Sequence, residues 1–203
     1  MKKETNNQTT PSYMASNTIT TPVGIARYPH LNRPDKKFSE VGEFKVNLEM
    51  SSEDAEPFIK QIESLFSEFV AAKKTELKKD KLKLHAAPWE ENDGQTILKL
   101  RVKAVGKNKE GEEFSRAPKL FNASGEIITD NIGGGSKIKV AVVPYAWYTA
   151  SLGAGITLQP KAVQVLDLVT WGDGGSASAY GFDVVEAPKQ AAKTGTDDEE
   201  ISW

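Results

Sequence analysis

Residues 131–171 read NIGGGSKIKVAVVPYAWYTASLGAGITLQPKAVQVLDLVTW, and they decide the fold class. A glycine loop opens the stretch. Two long runs rich in β-branched and aromatic residues follow, KIKVAVVPYAWYT and ITLQPKAVQVLDLVTW, separated by a short glycine-containing break. Both read as strands. In the first, Ile138, Val140 and Val142 point inward, and Lys137 and Lys139 point outward. If the register continues through Pro144, Tyr145 and Trp147 share the outward face with the lysines. A bulge forced by the proline would break that arrangement.

The same period of two recurs upstream. VGIARYPHL reads as a first strand. In GEFKVNLEM, Phe44, Val46, Leu48 and Met50 alternate with Glu43, Lys45, Asn47 and Glu49. In ILKLRVK, Leu98, Leu100 and Val102 take one face, and Lys99, Arg101 and Lys103 take the other. EFSRAPKLFNA reads as a further strand, and Asp93-Gly94 marks a turn before the lysine-bearing one. A single helix interrupts the series at about 54–79. Phe58, Ile62, Leu65, Phe66 and Phe69 recur at three- and four-residue steps, with Asp54 as N-cap and Pro57 in the first turn. Lys73, Lys74, Lys78 and Lys79 match the negative end of its dipole and read first as a solvated face. Strand and helix do not alternate, so a doubly wound parallel sheet is disfavoured. The expectation is a mainly β protein, a five- to six-stranded antiparallel barrel of OB type with one inserted helix.

Composition narrows the function. The chain has 203 residues and no cysteine, which excludes disulfides and thiolate chemistry. His30 and His85 are the only histidines and lack ligand spacing, so no metal site and no cofactor are expected. No run approaches the roughly 20 apolar residues of a membrane span. The polar N-terminus lacks the apolar core of a secretory signal, so a soluble, cytoplasmic protein without membrane contact is expected. Residues 1–18 read as a disordered arm, 19–186 as the folded domain and 187–203 as a disordered acidic tail. The formal charge is −2, and without the acids Asp197, Asp198, Glu199 and Glu200 it becomes +2. The body is therefore cationic and the end anionic, with a terminal indole, Trp203.

No catalytic constellation is present. GGGSK at Gly133–Lys137 lacks the order and the following helix of a phosphate-binding loop, and a connector is the simpler reading. Basic residues interleaved with aromatics on a barrel surface are instead the ingredients of single-strand binding, where cations track phosphates and rings stack on bases. Lys99, Arg101, Lys103, Lys137 and Lys139 form the expected track, and Tyr145 and Trp147 the expected platforms. The lysine faces are equally those of solvated strands, and the two aromatics equally those of a barrel rim. A non-catalytic adaptor that presents its tail to partners, and an RNA-binding barrel of cold-shock type, remain alternatives.

Residues 131–174 resemble the T7-type bacteriophage single-stranded DNA-binding protein family. The Ile-Gly-Gly-Gly-Ser-Lys-x-Lys-Val run, the Val-Pro-Tyr-x-Trp run and the late strand ending in Thr-aromatic-Gly occur in the same order. GEFKVNLEM, DGQTILKLRVKA, the early helix and the aromatic-ended acidic tail match as well. The resemblance implies an OB-type barrel, a homodimer, and a non-enzymatic protein that coats single-stranded DNA in phage replication, with recombination and repair as related processes. It also implies recruitment of the phage DNA polymerase and helicase-primase through the tail. It places the binding tyrosine at Tyr145, basic strand positions at Lys99 and Arg101, and the terminal aromatic at Trp203. The basic position before the glycine of GEFKV is here Val41, with Arg33, Lys36 and Lys37 in the preceding segment.

Overall fold

The computed structural model describes residues 18–170. The elements run β1 (Ile19–Thr20), β2 (Gly24–Asp35), β3 (Glu43–Ser51), α1 (Ser52–Leu77), β4 (Trp89–Asn92), β5 (Gln95–Lys103), β6 (Val105–Lys107), β7 (Glu113–Ser115), β8 (Lys119–Phe121), β9 (Lys137–Thr149) and β10 (Gly153–Asp167). Among the described residues no helix is long and apolar enough to cross a membrane. The tail residues Asp197 to Glu200 and Trp203, and the arm before residue 18, lie outside the described residues.

Pairing runs β9–β2–β3–β5–β10 and returns to β9. This is the five-stranded OB-type ring expected from the sequence, and it is only partly closed. The β2–β9 seam rests on Gly24↔Ile138 and Ile25↔Lys137, and the β5–β10 seam on Leu100↔Leu158. The expectation of an all-antiparallel barrel is corrected at that second seam, where β5 and β10 are parallel, as are β8 and β10. The long connection between β5 and β9 makes this possible, because parallel neighbours need a crossover. Short strands β1, β4, β6, β7 and β8 flank the ring, raising the strand count above the five or six expected.

The alternation read from the sequence is the one that fills the barrel. Val46, Leu48, Leu98, Leu100, Ile138, Val140, Val142 and Leu158 are all buried to 1% exposure or less. At about 25 cal/mol per Å² of apolar surface, this interior is the main term holding the ring together. Pro144 does not break the register: it pairs with Leu158 and faces inward, and the bulge falls on the partner strand between Pro160 and Ala162. Among the described residues, β9 has no neighbour but β10 at that point, so the missing proline N–H removes no ladder bond to a further strand.

The helix begins earlier than expected. Ser51, not Asp54, is the N-cap: its Oγ accepts from the Asp54 N–H at 3.1 Å and donates to the Asp54 carboxylate at 2.6 Å. Pro57 therefore sits beyond the first turn and leaves the Glu53 carbonyl without its ladder donor. The helix ends at Lys78, which adopts a left-handed φ of 52°, while the Lys79 N–H donates to Lys74 O at 3.0 Å. Lys73 is not a solvated lysine. It is buried and held by Glu76 at 2.7 Å. The first half of α1 buries Phe58, Ile59 and Ile62 in the barrel core. The second half packs Phe66, Phe69 and Val70 against Ala146, Tyr148 and Ala154, beneath the β9–β10 hairpin.

The glycine loop is a staple. The Gly133 N–H donates to Val169 O at 2.6 Å, and the Gly135 N–H to Ala26 O at 2.8 Å. The buried Ser136 hydroxyl accepts from the Val169 N–H at 2.9 Å and donates to Gly133 O at 2.9 Å. The loop thus ties β2, the start of β9 and the end of β10 together, and strand β9 follows it where a phosphate loop needs a helix.

Candidate nucleic-acid interface

The outer faces of β3 and β5 are paired residue by residue. Glu43 stands opposite Lys103, Lys45 opposite Arg101 and Asn47 opposite Lys99. Lys99, Arg101 and Lys103 are all exposed. The Leu100↔Leu158 pair sets β10 beside β5, and β10 in turn pairs Thr157 with Tyr145 and Gly155 with Trp147. Tyr145 and Trp147 therefore share the outward face of the ring with Lys99 and Arg101. Two strand spacings of about 4.8 Å separate them, roughly 10 Å around the barrel.

Not all the expected residues come together. Lys139 and Lys137 precede Tyr145 by six and eight residues on β9, about 20 and 26 Å at 3.3 Å per residue. Lys139 lies across from Gln164, and Lys137 across from Asp167, with its Nζ 3.8 Å from that carboxylate. The single track expected from the sequence is thus two groups, one beside the aromatics and one at the far end of β9.

The two aromatics also differ. Tyr145 is 42% exposed. Trp147 is half-buried: a methyl group at Gly155 would lie 2.3 Å from its Cζ2, so the ring rests on the Gly155 backbone. Its Nε1 donates to Thr157 Oγ1 at 3.1 Å, and His85 meets it edge-on at 5.3 Å between ring centres. His85 is held there because residues 83–85 are tied to the hairpin, with the Ala154 N–H donating to Lys83 O at 2.9 Å and the His85 N–H donating to Ala154 O at 2.7 Å.

Several cations are already engaged by carboxylates. Lys99 pairs with Glu90, Arg27 with Glu49, and Lys45 with Asp35 at 2.5 Å. Among the described residues, Arg101 and Lys103 have no such partner within 4 Å. The Asp35 carboxyl is held below the usual carboxylate range, first by the hydrogen bond from Lys45 and then by the Lys37 N–H. Glu49 raises Arg27, chiefly through their hydrogen bond.

Sequence reading misses four residues of this surface: Arg27, Tyr28, Phe38 and Lys45. Lys45 shows in the sequence only as an outward position of an alternating strand. Phe38 is 86% exposed in the β2–β3 loop, with the Lys37 ammonium 5.4 Å from its ring centre. Val41, Lys36 and Phe114 line an open depression of about 420 Å³ beside that loop.

Residues 23–168 match the sequence profile of the family described as single-stranded DNA-binding protein, bacteriophage T7. The chain is 28% identical to the single-stranded DNA-binding protein of Enterobacteria phage T3 over 201 residues, covering 87% of this chain and 86% of that one. It is 30% identical to that of Escherichia phage T7 over 187 residues, covering 79% and 80%. The crystal structure of the bacteriophage T7 protein superposes with a TM-score of 0.68 at 25% identity, over 87% of this chain and 99% of that one. The protein of bacteriophage Enc34 in complex with single-stranded DNA shares the fold, with a TM-score of 0.53 at 18% identity over 78% of this chain and 91% of that one.

Proposed function

We propose that this chain, which belongs to the bacteriophage T7 single-stranded DNA-binding protein family, coats single-stranded DNA in phage replication without regard to sequence. The observation that carries this reading is the proximity of Lys99 and Arg101 to Tyr145 across the Leu100–Leu158 seam. Cations there neutralise phosphates, and the open tyrosine ring stacks on whichever base lies over it, so neither contact reads sequence. Trp147, backed by Gly155, serves as the wall of the site more than as an open platform. Lys103 extends the cationic strip along β5, and Lys137 and Lys139 supply a second phosphate contact at the far end of β9. No step of this function requires catalysis.

The acidic tail, Asp197 to Glu200 with Trp203, completes the proposal. An anionic segment ending in an aromatic imitates a short single strand and competes for the same cations. DNA displaces it and frees Trp203 to anchor in a pocket of the phage polymerase or helicase-primase, with the acids steering approach. The family resemblance supports a homodimer, and roles in recombination and repair alongside replication.

Titration of oligo-dT at two salt concentrations, on the full chain and on one lacking residues 197–203, tests the reading. Tighter binding by the truncated chain, with loss of polymerase binding, is expected. Equal affinity of the two chains would reduce the tail to a tether. Absence of any gel shift with retained polymerase binding would favour the adaptor alternative, and preference for RNA in matched competition would favour a cold-shock-like protein.

A further inference from the structure

Strand β2 has an irregularity that the core does not explain. Ala26 and Leu31 are the consecutive inward residues, so the four between them, Arg27 to His30, stay on the outside. Arg27 pairs with Asn47 and His30 with Lys45, so Tyr28 and Pro29 together stand opposite the single residue Val46. This is a bulge, and Pro29 suits it because a bulge has no ladder bond for a missing N–H to break. Tyr28 there has a φ of 50° and is 79% exposed. A bulky aromatic in the left-handed region is an outlier that glycine or asparagine would fill with less strain, and such strain concentrates at functional sites.

That location completes a pattern. Around the ring the outward residues run Tyr28 on β2, Lys45 and Asn47 on β3, Lys99 and Arg101 on β5, Thr157 on β10 and Tyr145 on β9. We propose that Tyr28 is a second base-stacking platform, on the opposite side of the cationic strip from Tyr145, so that one single strand crosses the β-strands between the two rings. This rests on the single-stranded DNA reading above. Four strand spacings, about 19 Å around the barrel, separate the two tyrosines, and the phosphates between them meet Lys45, Lys99 and Arg101. The bulge is what aims the ring outward, because in regular register the residue after Arg27 would point into the core.

The test compares an oligo-dT with an abasic oligomer of the same length and charge, on the full chain and on Tyr28→Ala, Tyr28→Phe and Tyr28→Gly. Tyr28→Ala and Tyr28→Gly should weaken oligo-dT binding by roughly 5- to 150-fold, the loss of one stacked base, and leave abasic binding as in the parent. Tyr28→Phe should retain affinity. Tyr28→Gly should also melt at a higher temperature than Tyr28→Ala, because glycine adopts the positive φ freely. Parent-like oligo-dT binding by Tyr28→Ala overturns the proposal, and so does equal weakening on both oligomers, which would mark a backbone effect. Parent-like DNA binding with a changed elution volume would assign Tyr28 to a protein interface instead. If the parent itself binds no oligo-dT while Tyr145→Ala is equally inert, the single-stranded DNA reading fails at its root.

Discussion

Leu100 on β5 pairs in parallel with Leu158 on β10, and Leu158 pairs on its other edge with Pro144. This buried contact places the cations beside the aromatics. Lys99 and Arg101 flank Leu100 on the outside of the barrel, and Tyr145 follows Pro144 on the outside of the next strand but one. Each feature alone is an ordinary surface. Joined, they bring two cations and an exposed ring within the reach of one extended strand.

Tyr145→Ala should weaken oligo-dT binding by about 1–3 kcal/mol at fixed salt, and Tyr145→Phe should stay close to the parent. Fluorescence titration checks both, and parent-like affinity of Tyr145→Ala removes the ring from the site.

Glu90 holds Lys99, the cation that the proposed function assigns to phosphate. Glu90→Gln should therefore tighten binding by about 0.2–1 kcal/mol at low salt, and the gain should fade as added salt screens the surface pair. Weaker binding by Glu90→Gln would show that Glu90 organises Lys99 and does not occlude it.

Gly155 faces Trp147 with no room for a side chain. Gly155→Ala should destabilise the fold by about 1–3 kcal/mol, as overpacked sites do, with a changed tryptophan emission spectrum. An unchanged melting temperature would mean that the indole swings clear at little cost.

The Asp35–Lys45 pair stabilises the fold only while the carboxylate is charged. The folded carboxyl is lowered, so its contribution to stability is complete above the unfolded carboxylate value, about 3.9, and is lost as pH falls further through the folded value. Melting temperatures of the parent and of Asp35→Asn should differ at pH 7 and converge below about pH 4. A difference that persists at low pH would point to packing and not charge.

Much of this arrangement is legible in the sequence because one face of each main strand is buried. The alternation in ILKLRVK and KIKVAVV fixes which residues face out, and the structure keeps that phase through Pro144. What stays hidden depends on partners distant in sequence. The parallel seam at Leu158 leaves no mark in either strand's period. Ser136 reads as a connector residue until Val169, 33 positions on, supplies its hydrogen bonds. Ser51 serves both as the last residue of β3 and as the helix cap, so the helix begins at Ser52, ahead of the start expected at Asp54. Lys137 and Lys139 share a face with Tyr145, but strand length carries them away from it, a distance that facing alone does not convey. Tyr28 needs the backbone itself, since Arg-Tyr-Pro does not announce a left-handed φ.

The most direct measurement is the slope of log K against log salt for oligo-dT, on the parent and on the Lys99→Glu/Arg101→Glu double variant. The double variant should bind all sequences more weakly, with a slope shallower by roughly 0.7 for each phosphate it no longer neutralises. A slope equal to the parent's would contradict the account, because β5 would then touch no phosphate.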